Sequence, residues 1–116
     1  MKDKSVYILK ALECIDLIVD YTAGFNLDSF LADRKTQDAV VRNLEVIGQA
    51  LKDFGIEVLV EEMPDMPWTQ IAGMRNVLAH EYLGVDMVMI WDTVQLHLND
   101  LQQDLGSLLS DGSRSH

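Results

Sequence analysis

Apolar residues recur at steps of three and four along four stretches of the chain, which is the spacing of one face of an α-helix. The first helix is predicted to end at Gly24, because glycine readily adopts the backbone conformation that closes a helix. The connector over residues 25–34 has room for a short extra helical turn, which Asp28 would start. The inward face of the first helix is Ile8, Ala11, Leu12, Ile15, Ile18, Val19 and Thr22.

The second predicted helix runs from about Lys35 to Phe54 and is closed by Gly55. Gly48 lies inside it and costs up to ~1 kcal/mol relative to alanine. We therefore expect a close helix crossing at Gly48, where a missing side chain lets two backbones approach. Residues 55–66 are expected to form a loop or a short irregular stretch. The inward face of this helix is Val40, Leu44, Ile47, Leu51 and Phe54.

The third and fourth helices follow a proline-containing connector. Pro67 suits a first helical turn, so the third helix is predicted from Trp68 to about Tyr82, and Asp86 is placed to cap the fourth. These patterns together predict an all-α fold, a four-helix up-and-down bundle with the extra turn between helices 1 and 2. The fourth helix has a heptad-like seam of Met87, Trp91, Val94, Leu98, Leu101, Leu105 and Leu108.

Length and composition predict one domain. At 116 residues the chain can bury a single core, and we assign residues 1–110 to one helical domain. Residues 111–116 are assigned to a disordered tail, because Gly112-Ser113-Arg114-Ser115-His116 is typical of a cloning site that leads into a truncated affinity tag. His116 is therefore excluded as a ligand candidate.

The formal net charge of −10 limits the possible partners. An acidic surface repels nucleic acid at long range, so we expect no DNA binding and no broad phosphate-tracking groove. A small local cationic site or a basic partner remains compatible with this charge. The charge can also simply keep a small domain soluble. No apolar stretch is long enough to cross a membrane, the N-terminus lacks a signal peptide and Cys14 is the single cysteine. These features predict a cytoplasmic protein without a membrane partner.

Common catalytic motifs are absent from the sequence. There is no glycine-rich phosphate loop, no paired cysteine or histidine with metal-ligand spacing and no Gly-x-Ser-x-Gly elbow, so neither a metal nor a cofactor is expected. Cys14 lies beside an apolar helix face and is interpreted as a packing residue. His97 has no second histidine at ligand spacing and is interpreted as a solvated or hydrogen-bonded residue.

A polar cluster at residues 75–82 is the main candidate for chemistry. On an unbroken helix, at about 100° per residue, Arg75 and Tyr82 share one face. Asn76 and His80 share another at the i,i+4 spacing that permits a side-chain contact. The helix would pack through an apolar stripe made of Ile71, Met74 and Leu78.

This cluster suits RNA cleavage without a metal. Histidine titrates near neutral pH and can move the proton of a 2′-hydroxyl or of a leaving group. Arginine keeps its charge, and its planar guanidinium can stabilise the extra negative charge of a phosphorane-like transition state. The residues alone also allow a structural interpretation, in which His80 hydrogen-bonds Asn76 and Arg75 forms a surface ion pair.

The segment Arg75 to Tyr82 has the form R-x(4)-H-x-Y, with asparagine directly after the arginine, and resembles the signature of the HEPN superfamily. RNLEVIGQA at residues 42–50 resembles the second-helix pattern of HepT-type members. MPWTQIAGMRNVLAHEY and GVDMVMIWDTV, within residues 66–94, extend the similarity in the same order and spacing. One departure is Gln49, where the HepT-type pattern usually has glutamate.

The resemblance implies a specific function. HepT-like proteins are the toxin halves of toxin–antitoxin pairs and act as metal-independent ribonucleases, as symmetric homodimers with both motifs facing one cleft. Their partner antitoxin is a minimal, MntA-like nucleotidyltransferase that transfers AMP to the motif tyrosine. The resemblance thus implies that Arg75 and His80 are the catalytic pair, Asn76 and Tyr82 are supporting residues, and Tyr82 is the AMP-modified residue.

Two other functions remain open at this stage. The chain could be a non-catalytic HEPN bundle that binds a nucleotide or a nucleotidyltransferase, or a plain helical dimerisation protein. The intact Arg75 and His80 pair favours the ribonuclease, because a binding module has no need for both. A homodimer is also predicted from apolar residues outside the main stripes, namely Val6, Val88 and Ile90.

Overall fold

The computed structural model describes residues 4–62, Pro64 and residues 87–114, and these residues form five helices. The helical content confirms the predicted all-α class. The predicted third helix lies outside the described residues. The five helices are α1 (Ser5–Thr22), α2 (Leu27–Ala32), α3 (Arg34–Phe54), α4 (Ile56–Glu62) and α5 (Met87–Arg114).

The end of α1 agrees with the predicted stop. The Thr22 hydroxyl donates to the carbonyl oxygen of Ile18 at 2.8 Å and is buried, so this polar group satisfies its hydrogen bond inside the last turn. Two residues later, Gly24 has a φ of 80°, a left-handed conformation that glycine adopts without a steric penalty. The chain can therefore leave α1 and turn towards α2.

The short helix α2 confirms the extra turn predicted between the first two long helices, but its start was predicted wrongly. It is capped by Asn26, not started by Asp28. The side-chain oxygen of Asn26 accepts from the backbone N–H of Ser29, and the Ser29 hydroxyl oxygen accepts from the backbone N–H of Asn26, both at 2.9 Å. This reciprocal capping box satisfies two backbone donors, whereas Asp28 sits one residue inside the helix.

A buried glutamine joins α2 to α3. The Gln37 amide nitrogen donates to the carbonyl oxygens of Phe30 at 2.9 Å and Leu31 at 3.0 Å, near the end of α2. Between the two helices, a carboxylate oxygen of Asp33 accepts from the backbone N–H of Thr36 at 3.1 Å and caps α3. The angle between α2 and α3 is thus held by hydrogen bonds at both sides of a one-residue connection.

Helix α4 corrects the prediction that residues 55–66 form a loop or an irregular stretch. Gly55, with a φ of 122°, closes α3 as predicted, and a new helix follows it directly. The three β-branched residues Ile56, Val58 and Val60 have low intrinsic helix propensity, which conceals the helix in the sequence. Tertiary packing overrides this propensity, because Leu59 is completely buried in the core.

The core lies between α1, α3 and α5, with contributions from α2 and α4. Helix α1 packs against both α3 and α5, and α2 also packs against both. The apolar stripe predicted for α1 was too broad, because Val19 is 52% exposed and Leu12 is only partly buried. Both lie at the same edge of the stripe on a helical projection. The buried apolar side chains of α1 and α3 are Ile8, Ala11, Cys14, Ile15, Ile18, Val40, Val41, Leu44, Ile47, Ala50 and Leu51.

The central residues of the seam predicted on α5 are buried, as expected. Val94, Leu98, Leu101 and Leu105 are buried, whereas Met87, Trp91 and Leu108 pack against the core while partly exposed. The Trp91 ring lies 5.1 Å from the Phe30 ring, centre to centre, which joins the start of α5 to α2.

The burial of Ile90 removes one of the three residues on which the dimer prediction was based. Ile90 is completely buried, because it lies four residues before Val94 and therefore on the same helix face. Val6 and Val88, by contrast, are 52% and 40% exposed. Only these two of the three residues remain available for an interface.

Helix α5 runs through Arg114 and so includes the first residues of the segment 111–116 that the sequence analysis assigned to a disordered tail. The limits of the domain remain a prediction. Among the described residues, none of the helices combines the length and the apolar character needed to cross a bilayer.

We predict that replacing Gln37 with alanine lowers the free energy of unfolding by about 2 kcal/mol, because one buried and one partly buried carbonyl group lose their donor. Urea unfolding followed by circular dichroism measures this change. Gln95→Ala, at an exposed position of α5, is the matched control and should change stability by less than about 0.5 kcal/mol. Equal stability of the two variants would refute the role given to Gln37.

Candidate functional site

The residues predicted to carry the chemistry, Arg75, Asn76, His80 and Tyr82, lie outside the described residues. Their sequence segment connects α4 to α5. The arrangement of their side chains therefore remains a prediction. The described helices do contain a groove with polar and charged side chains, which lies between α1 and α3.

The α1–α3 groove has a volume of about 470 Å³. The first half of α1 lines it together with the middle and second half of α3, as expected when the two helices run antiparallel in an up-and-down bundle. This juxtaposition brings together side chains that are more than thirty positions apart in the sequence. The lining residues are Tyr7 and Lys10 from α1, and Arg42, Glu45, Val46, Gln49, Ala50 and Asp53 from α3.

Helix α3 has one face that packs in the core and an opposite face that lines the groove. Arg42, Val46, Gln49 and Asp53 follow one another at steps of four, three and four, which places them on one side of the helix. On a helical projection this side is roughly opposite the core residues Leu44, Ile47 and Leu51. One helix therefore contributes to the core with one face and to the groove with the other.

Gln49, the departure from the HepT-type pattern, has a clear local role. Its amide nitrogen donates to a carboxylate oxygen of Asp53 at 2.9 Å, one turn further along α3. A glutamate at position 49 would instead place a second negative charge four residues from Asp53, an arrangement that destabilises a helix. The glutamine thus orients the Asp53 carboxylate and keeps this end of the groove from carrying two adjacent negative charges.

The two cationic side chains of the groove are held loosely. Lys10 Nζ lies 3.4 Å from Glu13 Oε1, and Arg42 Nη1 lies 3.6 Å from Glu45 Oε2. The Lys10 and Arg42 side chains are 52% and 75% exposed. Ion pairs this long and this exposed contribute little to stability. Both cations can therefore exchange these carboxylates for another anion at small cost.

Cys14 is buried in the core, which confirms its interpretation as a packing residue. Burial raises the pKa of the thiol, because the charged thiolate is poorly solvated there. The positive charges of Lys10 and Arg42 lower the same pKa, while Glu13 raises it.

His97 is exposed on α5, in agreement with its interpretation as a solvated histidine. In residues 4–62, Pro64 and residues 87–114, no three His, Cys, Asp or Glu side chains are grouped in a way that could hold a metal ion. The groove is thus the feature of the described residues that sequence reasoning missed. The spacing of Arg42, Gln49 and Asp53 places them on one face of α3, but it does not reveal that Tyr7 and Lys10 of α1 face them.

Comparison with known proteins supports the resemblance seen in the sequence. The family described as Ribonuclease HepT-like matches residues 11–108. A candidate RNase of Methanocaldococcus jannaschii is 38% identical over 104 residues, which cover 90% of this chain and 83% of that protein. A protein of Thermococcus cleftensis named probable ribonuclease HepT is 38% identical over 96 residues, covering 83% and 86% of the two chains. A candidate RNase of Caldanaerobacter subterraneus subsp. tengcongensis is 33% identical over 109 residues, covering 94% and 96%. No solved structure matches the chain.

Proposed function

Because the chain belongs to the HepT-like ribonuclease family, we propose that it cleaves RNA without a metal ion through Arg75 and His80. The observation that carries this proposal is the R-x(4)-H-x-Y motif at residues 75–82. It lies inside residues 11–108, which match the family. Relatives that are named as ribonucleases support RNA cleavage as the class of reaction.

The proposed reaction is a transfer within the RNA strand. His80 accepts the proton of a 2′-hydroxyl, and the 2′-oxygen attacks the adjacent phosphorus. The bond from phosphorus to the 5′-oxygen breaks, and that oxygen takes up a proton, which leaves a 2′,3′-cyclic phosphate and a 5′-hydroxyl. Arg75 stabilises the additional negative charge in the transition state. Asn76, one turn before His80, would orient the imidazole by a hydrogen bond.

We further propose that the chain is the toxin of a toxin–antitoxin pair and is silenced by modification of Tyr82. A partner nucleotidyltransferase of the MntA-like type would transfer AMP from a nucleoside triphosphate to the Tyr82 hydroxyl, releasing pyrophosphate. The added phosphodiester carries one negative charge and could pair with the Arg75 guanidinium, where an RNA phosphate would otherwise bind. Inhibition would then be both steric and electrostatic.

We also propose that the chain forms a homodimer. Two motifs that face one cleft would concentrate positive charge locally on a chain with a net charge of −10. The exposed side chains of Val6 and Val88 support such an interface, because a dimer would remove them from water.

We predict that Arg75→Ala and His80→Ala each reduce RNA cleavage by at least ~100-fold, since each removes a group that acts in the transition state. Their free energies of unfolding should stay within about 1 kcal/mol of the parent chain. Gel analysis of labelled RNA measures the rate. The matched controls, Arg34→Ala and His97→Ala, change the same residue types at exposed positions of α3 and α5 and should retain full activity. Cleavage by His80→Ala at the parental rate would contradict the proposal.

We predict that co-expression with the partner nucleotidyltransferase adds AMP to Tyr82 and stops RNA cleavage. Intact-protein mass spectrometry followed by peptide mapping locates the modification. Tyr82→Phe should gain no AMP and escape silencing, because it lacks the acceptor hydroxyl. Tyr21→Phe, which removes the hydroxyl of an exposed residue on α1, should be modified and silenced like the parent. A silenced Tyr82→Phe variant would show that the partner acts by binding alone.

A further inference from the structure

The α1–α3 groove has the size of a small-molecule site. Its volume of about 470 Å³ falls within the range of roughly 300–1,000 Å³ found for ligand pockets. Ligand pockets also combine an apolar surface with a few polar groups that fix the orientation of the ligand.

The apolar part of the groove consists of Val46 and Ala50 on α3 and the ring of Tyr7 on α1. Tyr7 is partly buried against the core, so packing restrains its position while the ring still lines the groove. An aromatic ring of this kind provides a face on which a nucleobase can stack.

The cationic part consists of Lys10 and Arg42, one from each helix. Their present partners are carboxylates at 3.4 and 3.6 Å, and both cations are exposed. A phosphate offers arginine a bidentate, charge-assisted hydrogen bond, which is stronger than these long contacts. Phosphate can therefore displace Glu13 and Glu45 from the two cations.

Hydrogen-bond acceptors complete the groove. The Gln49 amide donates its N–H to Asp53, so its carbonyl oxygen points the other way along the amide plane. Carboxamide and carboxylate oxygens are suitable acceptors for the exocyclic amino group of adenine, cytosine or guanine. These acceptors and Arg42 lie on one α3 face, at steps of seven and four, and Lys10 faces them from α1.

We propose that the α1–α3 groove holds one nucleotide unit of a single-stranded RNA, with its base against Tyr7 and its phosphate between Lys10 and Arg42. The inference rests on the proposed function, which makes RNA the substrate, and extends it by assigning a substrate subsite outside the motif. Single-stranded RNA is required, because a base inside a duplex cannot present its face to a side chain. A site for one nucleotide also fits a chain whose net charge of −10 opposes a long phosphate track.

The test measures binding of a short oligonucleotide whose 2′-hydroxyls are all methylated. Such a strand cannot be cleaved by 2′-oxygen attack, so binding is measured separately from catalysis. Fluorescence anisotropy of the labelled oligonucleotide at several salt concentrations gives both the Kd and its salt dependence.

Lys10→Gln and Arg42→Gln should each raise the Kd about 5- to 10-fold at low salt and reduce the slope of log K against log salt by ~0.7, the value of one released counterion on a single strand. Arg34→Gln and Lys52→Gln make the same charge changes on exposed α3 side chains outside the groove. These controls should raise the Kd less than about 2-fold. Equal effects of all four variants would show that only the overall charge matters and would overturn the proposal.

The Tyr7 variants test base stacking. Tyr7→Phe keeps the ring and should bind like the parent chain, whereas Tyr7→Leu should raise the Kd at least 5-fold, since stacking contributes about 1–3 kcal/mol per base. Circular dichroism confirms that each variant is folded. Unchanged binding by folded Tyr7→Leu would overturn the assignment of the base position.

Two further results separate this inference from its alternatives. Free AMP that competes with the oligonucleotide at equal affinity would identify a mononucleotide site and overturn the assignment to an RNA strand. If the groove variants lose binding as predicted while the parent chain fails to cleave unblocked RNA, the proposed catalysis is wrong and the RNA-binding groove stands.

Discussion

The antiparallel packing of α1 on α3 is the interaction on which the described structure depends. Each helix contributes a continuous apolar stripe, and full burial of one such side chain stabilises the fold by about 1.5–3 kcal/mol. The same packing forms the α1–α3 groove, since the sides of the two helices diverge beyond their buried stripes. A substitution that shifted α1 along α3 would therefore alter the core and the groove together.

The short helices hold the long ones in place. Helix α2 contacts both α3 and α5, through the Gln37 hydrogen bonds on one side and the Phe30–Trp91 ring contact on the other. Helix α4 adds Leu59 to the core and directs the chain from α3 towards the segment that contains the motif. The Gln37 hydrogen bonds, one ring contact and the burial of Leu59 thus hold the two short helices against the long ones.

The sequence predicted the long helices well, because the buried apolar residues of α1, α3 and α5 recur mostly at three- and four-residue steps. It missed α4, whose β-branched residues have low helix propensity and whose stability comes from Leu59 packing. Ile90 was misassigned because a heptad seam is narrower than the buried face of a globular helix. The motif at residues 75–82 could be recognised because its members are adjacent. The α1–α3 groove could not, because Tyr7 and Asp53 meet only through folding.

We propose that this member of the HepT-like ribonuclease family cleaves RNA by proton transfer through its own side chains, with no metal ion. The most direct measurement is to incubate the purified, unmodified chain with labelled RNA in excess EDTA and to analyse the chemical ends of the products. We expect undiminished cleavage that leaves 2′,3′-cyclic phosphate and 5′-hydroxyl ends. Cleavage that requires a divalent ion and leaves 3′-hydroxyl ends would contradict it.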